Sequence, residues 1–196
     1  MNEEQIISLS NKVWITRKCR INTSDRLIFT NKVMQFLINY YTLMILSISI
    51  WSLNTTDNNY LSLFTVIASL FLFGITVGIN SLNYKERIIY LKTSYIKLDD
   101  LYTELEILLF ELPAIEKQAA KSRFTEIRNE YSKTLESVEN HNAYDFLKFQ
   151  IFNQKDKIGY KHYSRYYLYK LYYGLIFIVL FLVPFSPVIF IIKGWI

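Results

Sequence analysis

Turn-formers and crosslinks are scarce in this sequence. Among 196 residues there are 5 Gly, 3 Pro and 1 Cys. A sandwich or barrel needs a turn signal about every 8–12 residues, so this scarcity argues against an all-β chain. Cys19 has no partner for an intramolecular disulfide and reads as an ordinary small residue. There is no Gly-rich phosphate loop and no metal motif. The 2 histidines, His141 and His162, have no Cys, Asp or Glu cluster at metal-ligand spacing. No Ser/His/Asp set falls on elements that would pair it. These absences give no catalytic residue, no cofactor site and no metal site, so an enzyme is not expected. A lipid-modifying membrane enzyme would need interfacial His or Asp clusters, which are missing.

Charge is also missing where it matters most. Residues 33–56, 58–84 and 171–192 hold none. Each run exceeds the roughly 18 uncharged residues of a transmembrane helix candidate. The chain is 52% hydrophobic and 17% aromatic with only 20% charged residues, which excludes disorder. An all-α membrane protein is the fold class that follows. It divides into an amphipathic N-terminal region at 1–32, a transmembrane hairpin at 33–82, a coiled-coil-like helical unit at 83–170, and a third, kinked or re-entrant segment at 171–196.

Charge distribution assigns the sides. Residues 1–32 carry Lys12, Arg17, Lys18, Arg20, Arg26 and Lys32 against three acids. Residues 83–170 carry fifteen cations against thirteen acids, while the link 54–59 has no cation. Cations of short loops stay inside, so 1–32 and 83–170 are expected in the cytoplasm and residue 57 outside. The net charge of +5 then reflects topology and contact with anionic lipid, not nucleic acid. Asn54-Thr55-Thr56 matches a glycosylation sequon but lies too near the membrane to weigh much.

Within 3–21, Ile6, Leu9 and Val13 recur at helical steps, as in a helix on a membrane surface or under a bundle. Asn22-Thr23-Ser24-Asp25 is expected to break it. Residues 33–53 and 60–82 are each long enough to span, and their short link makes them antiparallel neighbours. From 84 to 112, Ile88, Leu91, Tyr95, Leu98, Tyr102, Leu105 and Leu109 alternate steps of three and four, the cadence of a bundle or oligomer seam. Asp99, Asp100, Glu104 and Glu106 lie off it as a solvated face. Pro113 ends this helix or opens the next one, which is expected over 114–140; Asn140-His141-Asn142 reads as a turn, and a short aromatic helix follows over 143–153. Residues 160–173 hold seven tyrosines among Lys161, His162, Arg165 and Lys170. That mixture suits a membrane interface; stacking on single-stranded nucleic acid is the competing reading. Pro184 and Pro187 kink the last segment, leaving the final four residues outside.

The spans carry polar stripes. Ser62, Thr65, Ser69, Thr76 and Asn80 share one face of the second span; Gln35, Asn39, Thr42 and Ser49 share one face of the first. Polar side chains at membrane depth seek protein or water. They therefore either bond between packed helices or line a pore. The lack of charge in both spans argues against a proton relay or voltage sensor. Gly74 and Gly78 form a GxxxG, a helix-packing motif of low specificity.

The segment Trp14-Ile15-Thr16-Arg17-Lys18-Cys19-Arg20, then Asp25-Arg26-Leu27, ahead of a tight hairpin and a cytoplasmic helical region resembles the SLATT family. The likeness is best over 10–110 and closest to the branch associated with reverse transcriptases. It implies a bacterial inner-membrane effector of anti-phage defence: multi-pass, homo-oligomeric and pore-forming. It also implies a reverse transcriptase or nucleotide-signalling partner, with leakage and growth arrest or death on infection. The family has no active site to carry over. The third apolar segment departs from its two-span pattern. A non-conducting scaffold that recruits a cytoplasmic enzyme is the rival reading.

Overall fold

The computed structural model describes residues 2–53, 59–154 and 158–186. The link with Asn54-Thr55-Thr56 and residue 57, and Pro187 with the final residues, lie outside the described residues. No strand occurs among the described residues. Among the described residues six α-helices follow one another: α1 (Glu3–Leu53), α2 (Asn59–Ser81), α3 (Tyr84–Glu111), α4 (Lys117–Glu136), α5 (Ala143–Asn153) and α6 (Tyr160–Leu182). A short 3-10 turn, Val183–Phe185, completes the described chain. The chain is all-α, and three of its helices are long and apolar enough to cross a membrane.

The helices form two units. The first comprises Met1–Ile28 and Lys85–Tyr166; the second comprises Phe29–Tyr84 and Tyr167–Ile196. In the first, Ile6, Leu9 and Val13 of α1 pack with Leu98, Leu101, Leu105 and Leu108 of α3 and with Ala120 and Ile127 of α4. The α1 face read as surface-lying or bundle-packed is thus a bundle face. Leu147 and Ile151 of α5 form a second cluster with Tyr166 of α6. Tyr144 and Tyr166 stack there with ring centroids 5.6 Å apart. Part of the tyrosine-rich segment 160–173 therefore serves packing.

The break expected at residues 22–25 does not occur: α1 is one helix of 51 residues. Side chains such as Asn and Thr disfavour helix interiors by competing for nearby backbone. Here Asn22 is engaged elsewhere, and the Thr23 hydroxyl lies within reach of both Asp145 and the Cys19 carbonyl one turn back, a bond the helix accommodates. Asn22 Nδ2 donates to the Asp145 carbonyl at 3.1 Å, and Thr23 Oγ1 donates to Asp145 Oδ2 at 2.9 Å.

The other ends have local causes. Asn83 ends the α2 stretch in the left-handed region, at φ 48°, a conformation that asparagine tolerates better than most residues. At Pro113 the chain turns, and Ala114 and Ile115 N–H both return to the Glu111 carbonyl. That turn delays α4, which spans Lys117–Glu136, less than the expected 114–140. Asn142 caps α5 through a reciprocal box with Asp145.

Candidate functional site

In the second unit, α1 packs on α6. Phe36 lies 6.5 Å from Phe177, and Tyr40 stacks on Phe181 at 4.8 Å. Both contacts advance in the same direction, so the two helices run parallel. Tyr40 donates its hydroxyl to the Phe181 carbonyl at 3.1 Å and Tyr41 donates to the Leu180 carbonyl at 2.6 Å. On α2 the residues turned inward are Leu61 and Thr65, with Ala68, Leu72, Thr76 and Ile79 half-buried on the same face. Leu63, Phe64, Leu70, Phe71 and Phe73 are exposed, as lipid-facing residues are.

The polar stripe of α2 splits across this boundary. Thr65 is buried and Thr76 half-buried; Ser62, Ser69 and Asn80 are exposed. On α1, Asn39 and Thr42 are exposed while Gln35 and Ser49 are half-buried. At roughly 100° per residue this face is turned away from the buried Leu37 and Ile48. The hydroxyls bond within their own helices: Thr65 to the Ser62 carbonyl at 2.8 Å, Ser69 to Val66 at 2.7 Å, Thr76 to Leu72 at 2.7 Å and Thr42 to Ile38 at 2.8 Å. None of these bonds crosses to another helix. The amides of Gln35, Asn39 and Asn80 take no hydrogen bond among the described residues. Gly74 and Gly78 are also exposed, and a Cβ built on either meets nothing within 4 Å. The GxxxG is therefore not a close-packing site within the protomer.

In the first unit, the buried stripe of α3 keeps the expected cadence but runs through Leu91, Ser94, Leu98, Leu101, Leu105 and Leu108. Ile88, Tyr95, Tyr102 and Leu109 are half-buried along its margin. A second stripe, Ile89, Ile96, Ile107 and Phe110, is exposed on the opposite face, Phe110 to 87%.

Two arginines of α1 hold the connection from α4 to α5. Arg20 is 2% exposed. It donates to Ser94 Oγ, to the Thr134 carbonyl at 2.9 Å and to the Leu135 carbonyl at 3.2 Å. Those carbonyls are in the last turn of α4, where the helix dipole and unpaired C=O groups favour a cation. Burial pushes the guanidinium pKa down. Six residues on, Arg26 Nε meets Asp145 Oδ1 at 2.9 Å and its Nη2 meets Oδ2 at 3.0 Å. Asp145 is 0% exposed and sits in the first turn of α5, where the dipole favours an anion. Nearby Cys19 is buried, and burial, then the Asp145 charge, push its thiol up to about 12. A thiol held protonated in this way is a poor nucleophile. Trp14 meets Phe149 edge-on at 5.4 Å, and Arg17 pairs with Asp99 at 2.7 Å. Among the described residues no group of three or more His, Cys, Asp or Glu is placed to hold a metal ion.

The model of the SMODS and SLOG-associating 2TM effector domain family 5 matches residues 2–192. The chain belongs to this family. No curated protein and no solved structure matches it. The SLATT description counts two spans, and this member carries three helices that meet the length and composition of one. Trp14, Arg17, Arg20 and Arg26, which carry the SLATT likeness in the sequence, hold α1 to α3, α4 and α5 in the first unit. None of them belongs to the spanning unit. Sequence reasoning missed Ser94, Asp145 and the Tyr40–Tyr41 pair. Asn142 and Asp145 at capping-box spacing were the one available signal.

Proposed function

We propose that the protein is an oligomeric, pore-forming effector of the bacterial inner membrane. On infection, a signal from a cytoplasmic defence partner would open it, and leakage would arrest or kill the cell. The partner would be a nucleotide-signalling enzyme or a reverse transcriptase. One observation carries the reading. Asn39, Ser62, Ser69 and Asn80 are exposed on helices that cross the bilayer, and no hydrogen bond ties them to a neighbouring helix. Polar groups at membrane depth are stable against water or protein and unstable against lipid. A closed ring of protomers would supply the water. Residues 1–32 and 83–170 would face the cytoplasm, α1 and α6 would run outward, and α2 would return.

Position 69, near the middle of α2, decides between a lumen and a packed face. Ser69→Leu makes a lumen apolar and favours dewetting. Ser69→Asp places a ring of charge that only a hydrated site tolerates. The pore reading expects Ser69→Leu to lose toxicity while still assembling and Ser69→Asp to conduct with a cation bias. A toxic Ser69→Leu beside a Ser69→Asp that fails to assemble would refute it for this face. The exposed stripe Ile89, Ile96, Ile107 and Phe110 favours a second reading, a scaffold that docks another protein without conducting. Absence of current in reconstituted bilayers, with a partner retained on co-purification, would select that reading.

A further inference from the structure

We propose that Tyr40 and Tyr41 form a hydrogen-bonded latch that closes α6 onto α1, at a point where Pro184 has opened the α6 backbone. In an α-helix the Leu180 carbonyl would accept from the N–H of residue 184. That residue is proline and has none. The 3-10 turn at Val183–Phe185 reaches back three residues instead of four, which releases the Phe181 carbonyl as well. The structure fills both vacancies from α1, with Tyr41 on Leu180 at 2.6 Å and Tyr40 on Phe181 at 3.1 Å. The stack of Tyr40 on Phe181 fixes the register. Tyr41 lies near the middle of the uncharged run 33–56, where hydrocarbon supplies no donor.

The consequence is a coupling between movement and hydration. Most spanning helices satisfy their own backbone and separate without exposing it. When α6 leaves α1, two carbonyls lose their donors together, and water is the one replacement. The latch therefore holds the closed arrangement, and its release admits water at mid-membrane. This assigns α6 as the moving wall, a role that rests on the pore reading. The hydrogen-bond exchange between Pro184 and Tyr41 does not rest on it.

The test is a double-mutant cycle on the full chain. Tyr41→Phe keeps the ring and removes the donor. Pro184→Ala returns an N–H to the ladder and makes the donor redundant. Tyr41→Phe should lower the detergent Tm by roughly 3 °C and increase dye release from liposomes. In the Pro184→Ala background it should change neither. A second readout needs no purification: cysteines at positions 36 and 177, in a Cys19→Ser chain, crosslink in membranes when α6 is seated. Crosslinking should fall with Tyr41→Phe and recover with Pro184→Ala. An effect of Tyr41→Phe that is equal in both backgrounds, or absent from both, overturns the latch. A Tm and crosslinking cycle that couples while no variant, wild type included, releases dye upholds the latch and refutes the pore.

Discussion

The two units treat polar groups in opposite ways. The first buries its polar groups and pairs them across helices, with Arg17 Nε the buried atom left without a hydrogen bond among the described residues. Arg20 ends on the last carbonyls of α4, and Asp145 is shared by Arg26, Thr23 and the α5 cap. The second leaves Asn39, Ser62, Ser69 and Asn80 on its surface beside Leu63, Phe64 and Phe71. In the first unit the buried Arg20 and Asp145 are both answered by the protein itself. A spanning unit with unanswered amides among lipid-facing residues is complete only with water or further protein around it. The contrast places structural specificity in the first unit and the capacity for a new environment in the second.

Breaking the first unit should have the largest effect. Leu98→Asp with Leu105→Asp puts two charges into a closed core, an unfavourable change of several kcal/mol. We expect no folded protein to accumulate. Ile96→Asp with Ile107→Asp changes the same helix on its exposed face. The fold should survive, and the oligomer, measured by size in detergent, is the property that should change. Equal damage from both pairs would erase the distinction between the two α3 stripes.

Asp145→Ala comes next. It takes the buried carboxylate from Arg26 and Thr23 and removes the reciprocal half of the α5 capping box, and breaking a buried ion pair in this way costs about 3 kcal/mol. Chemical denaturation should show the loss, with helix content in the native baseline unchanged. The equivalent step in the second unit, Asn39→Leu, removes no bond. Its effect should appear in toxicity and not in the denaturation midpoint.

A smaller effect concerns Cys19. Its folded pKa is raised, so ionisation of the thiol favours the unfolded chain, and stability should decline as pH climbs above the ordinary thiol value. Below that value the group contributes no pH dependence. Alkylation of the native protein at pH 8 should be slow and should become fast on denaturation. Rapid native labelling would show that the first unit opens around α1. The smallest effect is expected at Glu130, which Lys97 and Lys133 hold at 2.6 and 3.0 Å on an exposed face. Those hydrogen bonds lower its pKa, so any contribution is present above the ordinary carboxylate value and fades as pH falls through the lowered one. Glu130→Gln should leave the thermal midpoint unchanged at neutral pH.

Much of this was legible in the residues. The three uncharged runs announced the apolar helices, because a helix that must lie in hydrocarbon cannot carry charge along its length. Pro113 marked the end of α3, and the aromatic run at 143–153 marked α5 to the residue. The heptad cadence announced α3 as a long helix with a buried face. What it left open was which face, because α3 bears apolar residues almost all round: Leu105 and Leu108 inside, Tyr102 and Leu109 at the margin, Ile107 and Phe110 outside. Periodicity sets the angle between residues and says nothing of the partner's shape, so the choice fell to the packing of α1 and α4.

The sequence by itself determined the helical class, the apolar spans, their polar stripes and the SLATT likeness, because these depend on local spacing and composition. The tertiary structure alone decided where lone polar groups end. Asn22 stays in a helix because Asp145, more than 100 residues away, takes its amide, and the Thr23 hydroxyl reaches Asp145 as well as the Cys19 carbonyl of its own turn. A buried arginine is tolerable because the end of another helix accepts it. A proline in a membrane helix is tolerable because Tyr41 of α1 supplies the donor that Leu180 lost. Each is a hydrogen bond between positions far apart in sequence, and local pattern cannot specify a donor that only folding brings within reach.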